Sequence, residues 1–232
     1  MHRHYRVTSA VAALTMAAAG CSTKPPDIVA ESPAPAVSAG PVTGSTPPPD
    51  AAPPDAARLG SALLGPADLP GYVQSPLQTS PVAGMGSSMT QCAGQNDPSA
   101  TGSQARVMLQ AGPTGPFFGE TLMAMSEADA TRLVQGLTQV TKNCGSFDGG
   151  SPGGMKFDVA IGHLTFPRVG DDTAAFRMTA TVEQAGAAVY ARVVAVRRGG
   201  LVLLLVLMQF NSPEVSGTED LVRRAYAKAA TV

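Results

Sequence analysis

The side chains with the widest chemical reach in this chain are its three cysteines, Cys21, Cys92 and Cys144. A thiol can be alkylated, can oxidise to a disulfide, or can ligate a metal. Metal ligation needs partners at short, regular spacing, and none accompany these residues, so no metal site is expected. Cys92 and Cys144 suit a disulfide closing a loop of about 50 residues, stabilising by roughly 4 kcal/mol in the chain-entropy picture. Two separate buried thiols are the alternative. An odd count leaves Cys21. Other reactive types are sparse. His163 is the lone histidine after residue 57, in phase with Val159 and Ile161, which marks it as structural. Asp171-Asp172 follows Gly170 as a turn, and Arg197-Arg198 flanks a solvated hairpin turn. No Gly-x-Ser-x-Gly elbow, Gly-rich phosphate loop or His-Glu-x-x-His helix is present. The expectation is a protein that is not an enzyme and uses no cofactor.

The position of Cys21 gives it a role. Met1–Arg6 is a short basic head, Val7–Ala18 a mildly apolar stretch, and residues 17–20 are small. That order is an export signal, and it is too short for a membrane span of about 20 apolar residues. Ala18-Ala19-Gly20-Cys21 resembles the lipobox of bacterial lipoproteins, with Ala18 standing where leucine is usual. The resemblance implies that a diacylglycerol is joined to the Cys21 thiol and that residues 1–20 are removed. The chain is then held at the cell membrane, facing the extracytoplasmic side.

Residues 21–57 read as the lipidated cysteine followed by a tether. Between 22 and 57 lie ten of the chain's 20 prolines and no aromatic residue. Such composition cannot bury enough apolar surface to fold, and extended it reaches on the order of 100 Å. Its Ser, Thr and Pro content also suits O-glycosylation.

Residues 58–232 read as one domain with 13 basic and 13 acidic side chains. This neutrality argues against a nucleic-acid partner. Helices are expected near 58–64, over 126–143 behind a Ser126 cap, and from a Ser216-x-x-Glu219 capping box to the C-terminus. Strands are expected at 104–110, 117–125, 156–166, 176–182 and 188–197, from alternating apolar residues. The run Leu201–Met208 reads as a central strand buried on both faces, and 145–154 as a loop. The fold class is α+β: an antiparallel meander flanked by helices, a single domain with one disulfide. Met85, Met89, Met108, Met123 and Met125 serve core packing or, alternatively, an adaptable binding surface.

Leu63-Leu64, Ala67-Asp68-Leu69-Pro70, Cys92, the helix Ala128–Cys144, Gly170-Asp171 before Phe176, and Val193–Val206 together resemble the PknH-like extracellular sensor domain. This family is found in actinobacterial lipoproteins and named for the outer domain of a transmembrane kinase. The resemblance covers about 60–232. It implies an antiparallel sheet with helices and a cleft for an unknown ligand. The resemblance implies two disulfides in the kinase's own outer domain, whereas this domain can form only Cys92–Cys144. Kinase motifs are lacking, so any signalling needs a partner protein. The expected function is a membrane-anchored, non-catalytic sensor or ligand-binding domain for a small molecule or envelope component. A carrier of lipid or hydrophobic cargo is the alternative. The sequence assigns no ligand-binding residue.

Overall fold

The computed structural model describes residues 53–76, 102–150, 156–182, 187–210 and 217–232. The signal segment, most of the tether, Cys21, Cys92, Met85, Met89 and Ser216 lie outside them.

Eight strands form a single antiparallel sheet in the order β1-β2-β3-β8-β7-β6-β5-β4. They are β1 (Val73–Gln74), β2 (Ser103–Gln110), β3 (Phe117–Ala124), β4 (Ser146–Gly150), β5 (Lys156–His163), β6 (Asp172–Val182), β7 (Ala187–Arg198) and β8 (Leu201–Phe210). The helices are α1 (Ala56–Ala62), α2 (Glu127–Asn143) and α3 (Thr218–Ala229). Strands β4 to β8 are the expected meander, enlarged by β4 within the stretch read as a loop. β8 is central because β3 pairs along its other side, from Phe117↔Met208 to Ala124↔Leu201.

That pairing leaves β3 far from β4, and α2 bridges the distance. Five strand spacings are about 24 Å. The 17 residues of α2 rise about 26 Å, enough to cross in one straight helix. Ser126 caps α2 by accepting from the Asp129 N–H, and Glu127 and Asp129 lie at its positive end. Ala130, Val134 and Val140 recur at helical spacing and face the sheet.

The two faces of the central strands pack against different layers. Odd residues of β8 (Leu203, Leu205, Leu207) join Phe118, Leu122, Val194 and Val196 beneath α1 and α3, contributed by Leu59, Ala62, Val222, Ala225 and Ala229. Val202 lies on the opposite face with Ala174, Ala195, Ala130 and Val134, beneath α2. Farther along that face, Met208, Phe117, Val159, Met178 and Ala191 form another cluster. Phe117 meets Phe210 edge to face there, with ring centres 5.7 Å apart. The expected central strand is therefore sandwiched between helical layers.

Four of the element boundaries differ notably from expectation. α1 begins at Ala56, inside the expected tether, because Asp55 caps it by accepting from the Arg58 N–H. α3 begins at Thr218 after Gly217 in the left-handed conformation, φ 72°, with no side-chain cap. β5 ends at His163 rather than 166, while β6 starts at Asp172, four residues before the expected Phe176.

Candidate functional site

The early end of β5 makes a concavity. β6 continues to Asp172 because β7 pairs with it as far as Arg197. Its pairing with β5 stops at His163↔Phe176. Past that point the chain swings out as residues 164–168 and returns at Val169. Thr173 Oγ1 fastens the return, accepting from the Val169 N–H (2.8 Å) and donating to the Val169 carbonyl (2.7 Å). Pro167, which has no N–H to give a ladder, sits in the outgoing stretch. Gly170 then turns with φ 67°; a Cβ there would lie 2.4 Å from the Arg197 carbonyl oxygen, so glycine is required.

Two clefts lie on either side of this strap. The α2-side cleft, about 340 Å³, is lined by Thr138, Thr141, His163–Phe166 and Thr173–Ala175. The α3-side cleft, about 480 Å³, is lined by Leu164–Pro167, Arg192 and the first turn of α3. Both volumes suit small ligands. Leu164, Thr165 and Phe166 belong to both walls.

The α3-side cleft is polar. Arg192 Nη1 donates to Thr218 Oγ1 at 3.2 Å, and Thr218 is buried. Arg192 stands directly opposite Arg177 across β6 and β7. Like charges so placed repel unless something offsets them. Arg177 also lies over Gly162, where a Cβ would come within 2.5 Å of its Nε. Glu219 and Asp220 at the α3 start place negative charge at the helix's positive end. The lining thus carries both signs. The α2-side cleft has hydroxyls and one imidazole, and no carboxylate, lysine or arginine among its lining residues.

Other polar groups serve the frame. Glu120 is 1% exposed, beneath α1. Its Oε2 accepts from the Leu64 N–H at 2.9 Å, and its Oε1 has no hydrogen-bond partner among the described residues. Burial raises its pKa from 4.5 to about 7, against the opposing pull of the Leu64 N–H and Lys228. Lys228 Nζ donates to the Leu63 carbonyl and to Asp68 Oδ2, both at 2.7 Å. The bond from Lys228, with one from the Gly65 N–H, holds Asp68 below its ordinary pKa.

The sequence candidates separate accordingly. His163 lines the α2-side cleft and is exposed. Cys144 caps α2, its N–H donating to the Val140 carbonyl at 2.8 Å, and is 1% exposed. Asp171 lies in the expected turn, whereas Asp172 already begins β6, and both hold Arg197: Asp172 Oδ2 lies 2.7 Å from Nη2 and Asp171 Oδ2 3.5 Å from Nη1. The Arg197 side chain is only 11% exposed, which corrects its reading as a solvated flank; Arg198 is exposed as expected. Met108 is buried, and Met123 and Met125 pack at the α2 layer, so these three serve the core. Sequence reading missed Glu120 and Arg192. Glu120 was detectable, since it shares the phase of Phe118 and Leu122 in a strand whose buried face is otherwise apolar. Among the described residues no cluster of three metal-ligating side chains occurs, and no helix is long and apolar enough to cross a membrane.

No known protein family matches the chain, and no curated protein matches it. Among solved structures, it is similar to the extracellular domain of PknH from Mycobacterium tuberculosis, with a TM-score of 0.53 at 10% identity. The similarity covers 78% of this chain and 98% of that one. At this identity the likeness is one of fold: the chain has the fold of the PknH extracellular domain.

Proposed function

We propose that this chain is a lipid-anchored surface protein whose domain binds a ligand, without catalysis, at the clefts beside residues 164–167. The observation that carries the reading is the break in the β5–β6 ladder, which opens two ligand-sized concavities in an otherwise continuous sheet. The fold of an extracellular domain supports placement outside the cytoplasm. The lipobox-like Ala18-Ala19-Gly20-Cys21 supports a diacylglycerol on Cys21, with the Pro-rich segment as tether. In an exported chain, a Cys92–Cys144 disulfide would tie residue 92 to the end of α2, and the deep burial of Cys144 suits that role. A partner protein would carry any signal onward.

The cleft linings favour a polar ligand over lipid cargo. Thr, His, Arg, Glu and Asp contribute to them beside Leu164 and Phe166, while most large apolar side chains are packed in the core. Screening water-soluble metabolites and peptides by thermal shift tests the reading: a binder raises the melting temperature, and Thr141→Trp, which fills one cleft, or Arg192→Ala, which alters the other, removes the increase. Stabilisation unchanged in both variants contradicts it. The anchor is tested separately. Cys21→Ala is expected to move the protein from the membrane to the soluble fraction; unchanged fractionation overturns lipidation.

A further inference from the structure

The α3-side cleft holds a cation and an anion that the fold leaves without counter-charges. Arg192 lies on the face of β7 that carries buried Val194 and Val196, and its cross-strand neighbours are buried Leu207 and the like-charged Arg177. Among the described residues, the one hydrogen bond of its side chain is the donation to Thr218 Oγ1. A half-buried guanidinium normally meets a carboxylate, which offsets the water it has lost. None does so here, although Glu219 and Asp220 line the same cleft.

The two acids differ. Glu219 Oε1 is taken by Arg223 one turn along α3, accepting from Nε at 3.1 Å and from Nη2 at 2.6 Å. Asp220 forms no ion pair among the described residues, with Arg192 or with any other cation. Arg192 and Asp220 thus line one cleft with opposite charges and do not neutralise each other. A guanidinium has five N–H donors in a planar fork, and Thr218 takes one, so a carboxylate can still be gripped. The Asp220 carboxylate can accept from an ammonium group. The strap adds apolar surface to the same cleft through Leu164, Phe166 and Pro167.

We propose that the α3-side cleft binds a small zwitterion, an amino acid or dipeptide with an apolar side chain, its carboxylate on Arg192 and its ammonium group on Asp220. This rests on the binding reading given above and names the ligand class of one of its clefts. The charge arrangement sets the selectivity. An anion without an amine meets Arg192 and is repelled by Asp220 and Glu219. A cation without a carboxylate meets Asp220 and is repelled by Arg192. A ligand with both charges gains at both ends, so the same two residues that attract it reject its singly charged analogues. The apolar side chain of the ligand rests against the strap. A cleft of about 480 Å³ admits an amino acid or a dipeptide.

The test is a calorimetric titration of the full-length chain carrying Cys21→Ala with L-leucine, L-phenylalanine and the dipeptides leucyl-leucine and leucyl-phenylalanine. Each is compared with its N-acetylated form, which lacks the cation, and with its C-terminal amide, which lacks the anion. The expected result is saturable binding of at least one zwitterion, with both modified forms weaker by about tenfold or more. Tighter binding of the amino acids assigns a free amino acid as the source, and tighter binding of the dipeptides a peptide with free ends. Asp220→Asn is expected to erase the advantage over the acetylated form and keep the advantage over the amide; Arg192→Gln is expected to do the reverse. Asp220 is exposed, so its variant keeps the test decisive should Arg192→Gln not fold. No saturable binding, equal affinity for a zwitterion and either modified form, or unchanged selectivity in a folded Asp220→Asn variant overturns the proposal. In that case, a neutral or singly charged metabolite whose binding is lost in Arg192→Ala or Thr141→Trp leaves the broader binding reading standing; no ligand at either cleft removes both.

Discussion

Where β3 passes beneath α1, the polar groups are turned inward and used on the protein itself. Glu120 holds the Leu64 N–H, Lys228 holds the Leu63 carbonyl and Asp68, and Asp68 holds the Gly65 N–H. These contacts join α1, β3 and α3 around an aliphatic and aromatic core. Where β5 leaves β6, the ladder ends at His163↔Phe176, and the strap beyond it is fastened by a side-chain hydroxyl. The first corner is built for cohesion, and the second is where we propose that a ligand binds. The difference directs the search for function to the place where a continuous ladder is interrupted.

The contrast predicts that substitutions at the closed corner change stability and those at the open corner change binding. The largest effect is expected from Phe118→Ala, fully buried in the core under α1 and α3. It should lose about 3–5 kcal/mol, read as a lower denaturation midpoint. Thr141→Ala, at the cleft, should stay within about 0.5 kcal/mol. Equal losses would break the comparison.

Next comes the pH dependence from Glu120. Its folded pKa, about 7, lies above the ordinary 4.5. The folded state therefore holds a proton that the unfolded state has already released. Stability is unaffected by this group below about pH 4.5, and falls as pH rises to about 7, by up to about 3 kcal/mol. Glu120→Gln should flatten that slope while keeping an acceptor for the Leu64 N–H. Denaturant melts at pH 4, 6 and 8 check both statements, and an identical slope in the variant contradicts them.

Smaller effects sharpen the contrast. Lys228→Met removes the bonds to Leu63 and Asp68, both partly solvated, and should cost about 1 kcal/mol, with part of the loss masked at high salt. Thr173→Val should also cost about 1 kcal/mol, and should in addition loosen residues 164–169 and weaken ligand binding. Lys228→Met should leave binding unchanged. Thermal melts and a ligand titration on the two variants separate these outcomes.

Much of the frame was legible in the sequence. The alternation from Phe176 to Val182, the apolar run from Leu201 and the Ser126 cap each place an element now seen in the sheet or across it. These signals are local, repeating at the period of the structure they form. β4 was illegible because Ser146–Gly150 has one large apolar residue, Phe147, and owes its strand form to pairing with β5. The cleft was illegible for a related reason. Residues 164–166 continue a plausible strand pattern, and what removes them from the sheet is the Thr173–Val169 pairing, a hydroxyl contact that no apolar period signals, with the Gly170 turn packed against distant Arg197. His163 could be placed on a strand face, but only the end of that strand puts it at a cleft. Arg192, between valines and alanines of a strand otherwise mostly buried, gave a signal that was readable and not used.

Amide hydrogen exchange in the free protein tests the interrupted ladder most directly. Gly162 is paired with Arg177, while Thr165 and Phe166 lie past the end of the ladder at His163↔Phe176. The account predicts slow exchange at Gly162 and at Leu64, whose N–H is held by buried Glu120, and exchange at Thr165 and Phe166 faster by orders of magnitude. Equal protection of Gly162, Thr165 and Phe166 would show that the ladder is not broken there and would contradict it.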